Sequence, residues 1–258
     1  MKLEEKIIGV LMGGLSPERE VSLASGNAVL EALGRKGLNG IGIDVSNDIA
    51  FSLKKNKIDI AFIALHGVFG EDGSIQGLLE YSKIPYTGSG VLASALAYDK
   101  VKSKEILKFN KVPTADYQVL YREKGGRQER AFGFPVVVKP SNQGSSIGVS
   151  IVREEKEWDV ALGLAFRYSK EILVEKFIEG KLLAIGMNGE QPMPIVQIQP
   201  KSGFYDYESK YTSGRTEYVC PAELSYEEIR SCEDIAKRVY RVLRGNGMPR
   251  VDVILDAE

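Results

Sequence analysis

The chain has 258 residues, 43% of them hydrophobic and 27% charged. These proportions exclude a disordered tail, a collagen-like rod and a coiled coil. With 34 Lys+Arg against 35 Asp+Glu the net charge is −1, so there is no global basic field for nucleic acid. The longest wholly apolar run, residues 60–65, is far shorter than the roughly 18 residues a membrane helix needs. Cys220 and Cys232 have no CxxC spacing and His66 is the single histidine. A disulfide scaffold, a cysteine zinc site and a multi-histidine metal site are therefore excluded, any metal must take oxygen ligands, and the expected compartment is a reducing cytoplasm.

The first third alternates strand and helix signals. Acidic residues precede Ile7–Met12 and no cleavage site follows, so this run reads as a buried first strand, not a signal peptide. Ser16 and Pro17 predict an N-cap and first helical position, Val21, Ala24, Ala28 and Ala32 follow at helical spacing, and Gly34 and Gly37 mark the stop. Residues 41–45 and 58–65 read as strands with a short helix over Ile49–Lys55 between them, a pattern of parallel sheet covered by helices. Ligands collect beyond the carboxyl ends of such strands, which singles out residues 13–18, 65–73 and 87–90. One helix is predicted from Val91 to about Asn110, ended by Val112-Pro113.

Beyond this point the pattern becomes α+β. Strands are predicted over 134–139, 149–152, 172–177, 183–187 and 195–199, with a helix around 156–168. Residues 200–220 read as a long polar loop of the kind that forms lids. Ser225-Tyr226-Glu227-Glu228 is a capping box opening a helix to about Leu243, and Arg250–Leu255 is a last strand.

The most informative segment is Val138-Lys139-Pro140-Ser141-Asn142-Gln143-Gly144-Ser145-Ser146-Ile147-Gly148-Val149. A strand ends in a lysine, and small residues follow that let backbone N–H groups approach an anion. It is neither a Walker A loop nor a dinucleotide fingerprint, so phosphate binding stands beside a plain turn. Asp99-Lys100-Val101-Lys102-Ser103-Lys104 reads most simply as a solvated helix face. Glu208-Ser209-Lys210-Tyr211 lies inside the long loop and is evenly balanced between the two readings. Arg250 and Asp252, two apart on a strand, face the same side, either as a paired surface rung or as a substrate arginine beside a metal carboxylate. Glu18 is either a helix-start carboxylate or the holder of a substrate ammonium, and His66 at a strand end is either structural or a positioning group.

Taken together, SPEREVS, ALHGVFGEDGSIQG, YTGSGVLASALAYDKVKSK, VVVKPSNQGSSIGVS, ILVEKFIEG, SGFYDYESKYTSGRTEY and RVDVILD resemble successive blocks of the D-alanine–D-alanine ligase family of the ATP-grasp superfamily. The resemblance covers residues 6–255. It implies an α/β and α+β chain: an N-terminal parallel-sheet domain (1–98, the pre-ATP-grasp domain), a central ATP-grasp subdomain (99–188) and a C-terminal one (189–258). It further implies a two-step reaction for peptidoglycan precursor synthesis in the cytoplasm, in which ATP activates one D-alanine as an acyl phosphate and a second D-alanine displaces the phosphate. By resemblance, Lys100 and Lys139 neutralise the α/β-phosphates, Gly144, Ser145 and Ser146 close over them, and Lys210 reaches the γ-phosphate. Glu175, Lys176, Phe177 and Ile178 line the adenine pocket. Glu18 holds the first ammonium and joins Ser145 and Tyr211 in a hydrogen-bonded set, His66 lies by the first carboxyl group, Arg250 stabilises the oxyanion, and Asp252 is a ligand of Mg²⁺ or Mn²⁺. Tyr211 favours the dipeptide over the D-alanine–D-lactate ester. A homodimer through the N-terminal domain is compatible with the resemblance, while nucleic acid and membrane are not expected partners.

Three positions depart from the family pattern. The sequence stops at Glu258, before a strand whose Glu-x-Asn pair supplies the remaining magnesium ligands in the family. Leu182 stands where a ribose-binding glutamate is usual, and Pro249 removes a backbone N–H next to Arg250. The alternative expectation they raise is a non-catalytic remnant that binds nucleotide or D-amino acid.

Overall fold

The computed structural model describes residues 2–124 and 128–256. The chain forms two compact units that divide between Leu96 and Ala97.

In the first unit, β1 (Ile7–Met12), β2 (Asn39–Asp44) and β3 (Ile60–Ile63) form a parallel sheet in the order β2-β1-β3. The connections are α1 (Arg19–Arg35) and α2 (Ile49–Lys55), and α3 (Ser74–Tyr81) follows. Leu11, Ile43, Leu53, Ile58, Ala61, Leu65, Ile75 and Leu79 make its core. The expected parallel α/β arrangement is present. Helix α1 starts later than the Ser16-Pro17 signal predicts, because the Ser16 hydroxyl is committed elsewhere: it donates to the His66 carbonyl at 2.8 Å and accepts from the Glu18 N–H at 3.1 Å. The helix also runs through Gly34 and stops before Gly37, which takes the left-handed conformation (φ +69°) that glycine adopts at no steric cost.

The single helix predicted over residues 91–110 is two: α4 (Val91–Tyr98), which spans the division between units, and α5 (Lys100–Phe109). The break is at Asp99, whose extended backbone lets its carboxylate accept from the N–H groups of Val101 and Lys102, both at 3.0 Å. This cap places Lys100 at the first position of α5.

The second unit carries two antiparallel sheets. The first, β4-β7-β5-β6, contains β4 (Tyr117–Tyr121), β5 (Val136–Pro140), β6 (Ser150–Val152) and β7 (Glu171–Lys176). Helix α6 (Glu155–Tyr168) covers one face, with Trp158, Ala161 and Ala165 packed among Val136, Val138, Ile172 and Val174. Side chains alternate along a strand, so Lys139 and Glu175 fall on the opposite face. The second sheet runs β11-β10-β8-β12: β8 (Lys181–Asn188), β10 (Val196–Pro200), β11 (Thr216–Val219) and β12 (Arg250–Leu255), with the short β9 (Gln191–Pro192) paired to β8. Helix α8 (Tyr226–Val242), opened by the expected Ser225–Glu228 capping box, packs Cys232 and Ala236 on Leu183, Ile185 and Val251. By the same alternation Arg250 and Asp252 point away from α8.

One expectation is corrected. Residues 200–220 are not loop throughout: they contain α7 (Tyr207–Tyr211), capped by Asp206, and β11, which pairs with β10. Strand β8 forms its ladders with β10 and β12.

Because the Asp99 cap separates α4 from α5, Asp99→Ala is expected to lower the unfolding free energy by about 1 kcal/mol. Urea denaturation of parent and variant checks this.

Candidate functional site

In the first unit the candidate residues gather at the carboxyl ends of β1 and β3. Ser22 Oγ donates to the Ala64 carbonyl at 2.7 Å and Ser16 Oγ to that of His66, so the start of α1 is stitched to the end of β3. This holds Glu18 with only 5% of its surface exposed. Gly67 adopts φ +69°, and a Cβ there would stand 2.6 Å from Glu18 Oε2, so the close approach of backbone to carboxylate requires glycine. His66 Nε2 lies 3.4 Å from Ser25 Oγ. A cavity of about 220 Å³ opens beside His66, lined by Gly14, Leu65, Phe69 and Ile75 among others. Two of the three segments singled out by strand polarity thus meet here, while residues 87–90 do not line the cavity.

The second unit gathers the lysines. Lys100 Nζ donates to the Gln143 carbonyl at 2.5 Å, while its backbone N–H donates to Ser141 O. Both bonds bind the start of α5 to the Gly/Ser loop. Burial, and then repulsion from Lys139, pushes the Lys100 amine down to about 8; Glu175 and Asp99 oppose the shift and Lys210 adds to it. Lys100, Lys139 and Lys210 therefore share one electropositive region. Lys139 Nζ pairs with Glu175 Oε2 at 2.5 Å, and Glu175 Oε1 pairs with Lys104 Nζ at 2.8 Å. Burial alone would raise the Glu175 carboxyl, but Lys139 and Lys104 outweigh it and hold it below its ordinary value.

The Gly/Ser loop is held in an uncommon backbone shape. Ser145 and Ser146 both have positive φ, at +50° and +59°. The loop is tied across to the segment that carries Lys210: Ser145 Oγ and Tyr211 Oη are 2.6 Å apart, and Ser146 Oγ donates to the Tyr205 carbonyl at 2.9 Å. The Lys210 amine sits 5.1 Å from the Tyr205 ring centroid. At the end of β7, Lys176 is exposed with its N–H on Asp116 O, and Phe177 just after it donates its N–H to Pro135 O beneath Arg153. Phe177 and Ile178 are half-buried.

Arg250 and Asp252 form a bidentate pair, Nε to Oδ1 at 2.7 Å and Nη2 to Oδ2 at 2.8 Å. That bond raises the Arg250 guanidinium above its ordinary value, and Tyr205 and Tyr211 lie near enough to add to it. Asp252 thus spends both oxygens on Arg250, and among the described residues no group of three or more His, Cys, Asp or Glu could hold a metal.

The predicted solvated face 99–104 is corrected. Lys102 is exposed and pairs with Glu105, but Lys100 and Lys104, one helical turn apart, turn inward. Lys104 was missed by its residue type; the signal that finds it is its i, i+4 spacing from Lys100 around buried Val101.

A parallel-sheet unit followed by two antiparallel sheets, these last linked by a serine loop beside a cluster of lysines, is the ATP-grasp architecture, and solved structures share it. The D-alanine–D-alanine ligase of Bacillus anthracis superposes with a TM-score of 0.85 at 33% identity, covering 98% of this chain and 83% of that one. The same enzyme complexed with ATP gives 0.84 at 31% identity, covering 98% and 82%. The family model described as D-ala D-ala ligase C-terminus matches residues 105–258, and that described as D-ala D-ala ligase N-terminus matches 44–89. The D-alanine–D-alanine ligase of Geotalea uraniireducens is 48% identical over 258 residues, all of this chain and 83% of the relative. That of Geobacter sulfurreducens is 49% identical over 255 residues, 98% of this chain and 81% of the relative. The chain belongs to the D-alanine–D-alanine ligase family.

Lys100 generates a stability prediction. Its amine titrates near 8 in the folded chain and at 10.5 when unfolded, so between these values the unfolded chain binds more protons and stability rises with pH. Lys100→Met removes this contribution. The stability of the variant relative to the parent is expected to be greatest below pH 8 and to decline toward pH 10.5, as urea titrations at fixed pH will report.

Proposed function

We propose that this chain joins two D-alanines at the expense of ATP. The carboxylate of the first D-alanine attacks the γ-phosphate, ADP departs, and an acyl phosphate forms. The amine of the second then attacks the acyl carbon and phosphate leaves. The observation that carries this reading is the electrostatic convergence of Lys100, Lys139 and Lys210 beneath a serine loop tied to Tyr211 and Tyr205.

Phosphoryl transfer needs positioning and charge neutralisation more than covalent help from the protein. In this reading Lys100 and Lys139 take the α- and β-phosphates, backbone N–H groups of residues 144–146 cover them, and Lys210 takes the γ-phosphate. Glu175, Lys176, Phe177 and Ile178 form the base pocket. Glu18 receives the first ammonium, supported by its burial at the α1 start, and His66 orients the neighbouring carboxylate. Arg250 stabilises the oxyanion, a role supported by the bidentate bond to Asp252 that fixes the plane of its guanidinium. The Ser145–Tyr211 bond keeps the loop closed during transfer. Asp252 would be one ligand of a magnesium held mainly by the nucleotide phosphates, and the ion would supply further charge neutralisation there.

The same reading places the chain in the cytoplasm, where its two free cysteines would stay reduced; among the described residues no helix is long and apolar enough to cross a membrane. A homodimer through the N-terminal unit belongs to the same reading and would appear in light scattering as twice the mass of one chain.

The chain, given magnesium ATP and D-alanine, is expected to release phosphate only when D-alanine is present and to yield D-alanyl-D-alanine by mass spectrometry. Phosphate release that ignores D-alanine contradicts the assignment. Tyr211→Phe removes the hydroxyl bound to Ser145 and is expected to lower kcat by roughly tenfold, the effect of losing one hydrogen bond of about 1.4 kcal/mol in the transition state. AMPPNP affinity is expected to weaken above pH 8 as Lys100 loses its proton, and Lys100→Arg, charged throughout, to flatten that dependence.

A further inference from the structure

Lys104 is a buried charge for which the reaction scheme has no role. It is 7% exposed, and its Nζ donates to Glu175 Oε1 at 2.8 Å, Thr114 Oγ1 at 2.6 Å and Ala115 O at 3.0 Å. An ammonium has three N–H donors, so none remains for a phosphate. The other Glu175 oxygen, Oε2, holds Lys139. Glu175 is itself 8% exposed, so the three groups interact with little screening.

The charge balance of this cluster is +1. Two ammoniums share one carboxylate, each on its own oxygen. Without Lys104 the balance falls to zero, and both Glu175 oxygens are free to turn on Lys139. Lys139 would then enter the nucleotide site already neutralised.

We propose that Lys104 is a positioning residue for the nucleotide: it occupies one oxygen of Glu175 as an internal counter-ion and so leaves the Lys139 charge available to the phosphates. This rests on the nucleotide reading above. The competing role for Lys104 is purely structural, tying α5 and residues 113–116 to β7. The two differ in how a second substitution acts. If Lys104 matters by offsetting Glu175, then removing the Glu175 charge as well frees Lys139 again. If it matters only as a tie, the second substitution adds damage.

The test is AMPPNP binding by isothermal titration calorimetry to the full chain. Lys104→Met is expected to weaken binding by at least ~10-fold, the scale of one charge-assisted hydrogen bond. Because Glu175 also lines the base pocket in this reading, the double variant Lys104→Met/Glu175→Gln is compared with Glu175→Gln alone, and there the loss of Lys104 is expected to change binding by less than ~3-fold, since no carboxylate remains to capture Lys139. Thr114→Val removes one acceptor from the Lys104 ammonium, makes its buried charge harder to keep, and is expected to weaken binding ~2–5-fold, within the range of one neutral hydrogen bond; it decides the matter if Lys104→Met does not fold. Unchanged affinity in Lys104→Met, or in Thr114→Val where that variant decides, overturns the assignment, as does a Lys104→Met penalty as large in the Glu175→Gln background as in the parent. If the parent binds no AMPPNP, the nucleotide reading itself falls and this assignment with it; if the parent binds and the variants behave as the parent, only the assignment to Lys104 falls.

Discussion

One carboxylate shared by two ammoniums organises the second unit. Glu175 reaches Lys139 with one oxygen and Lys104 with the other, inside a site where water contributes little. Buried ion pairs seldom add much net stability, but removing one partner typically costs about 3–5 kcal/mol, because a charge is left uncompensated. The arrangement is therefore locked in place. Its residual positive charge, joined by Lys100, is the feature from which the proposed chemistry follows.

The two antiparallel sheets repeat one plan. Each buries one face under a helix, α6 or α8, and the strand alternation sends its polar residues to the other face. Lys139 and Glu175 follow from this on β5 and β7, and Arg250 and Asp252 on β12. Ser145 and Ser146 then link the loop after β5 to residues 205–211 of the second sheet's excursion. The candidate side chains Lys139, Glu175, Arg250 and Asp252 thus sit on strands, Lys100 and Lys210 sit on helices α5 and α7, and the serine loop and residues 205–211 hold one another.

Much of this was legible in the residues. Lys139 after three valines, Arg250 and Asp252 two apart, and Ser225 with Glu228 each declare a face or a cap through period and spacing alone. The parallel first sheet was legible from short apolar runs between helices. Other features depend on competition that sequence pattern does not weigh. Asp99 could continue a helix or cap one, and its side-chain bonds to Val101 and Lys102 decide for the cap. Ser16 looks like a helix cap until the His66 carbonyl claims its hydroxyl. The segment 200–220 reads as loop because its short strand gains its ladder only from β10, a tertiary partner. Lys104 reads as solvated because lysines usually are, and its three acceptors come from residues 10 or more positions away. Family blocks supplied roles for Glu18, His66 and Arg250 that residue type alone left balanced between structure and chemistry.

The central claim is that a nucleoside triphosphate lies with its phosphates against the lysines of the second unit. A crystal structure of the chain with AMPPNP tests it most directly. The account predicts phosphate oxygens within hydrogen-bond distance of the Lys100 and Lys139 amines, with residues 144–146 folded over them. A nucleotide bound elsewhere, with both amines still engaged only by Gln143 and Glu175, would contradict it.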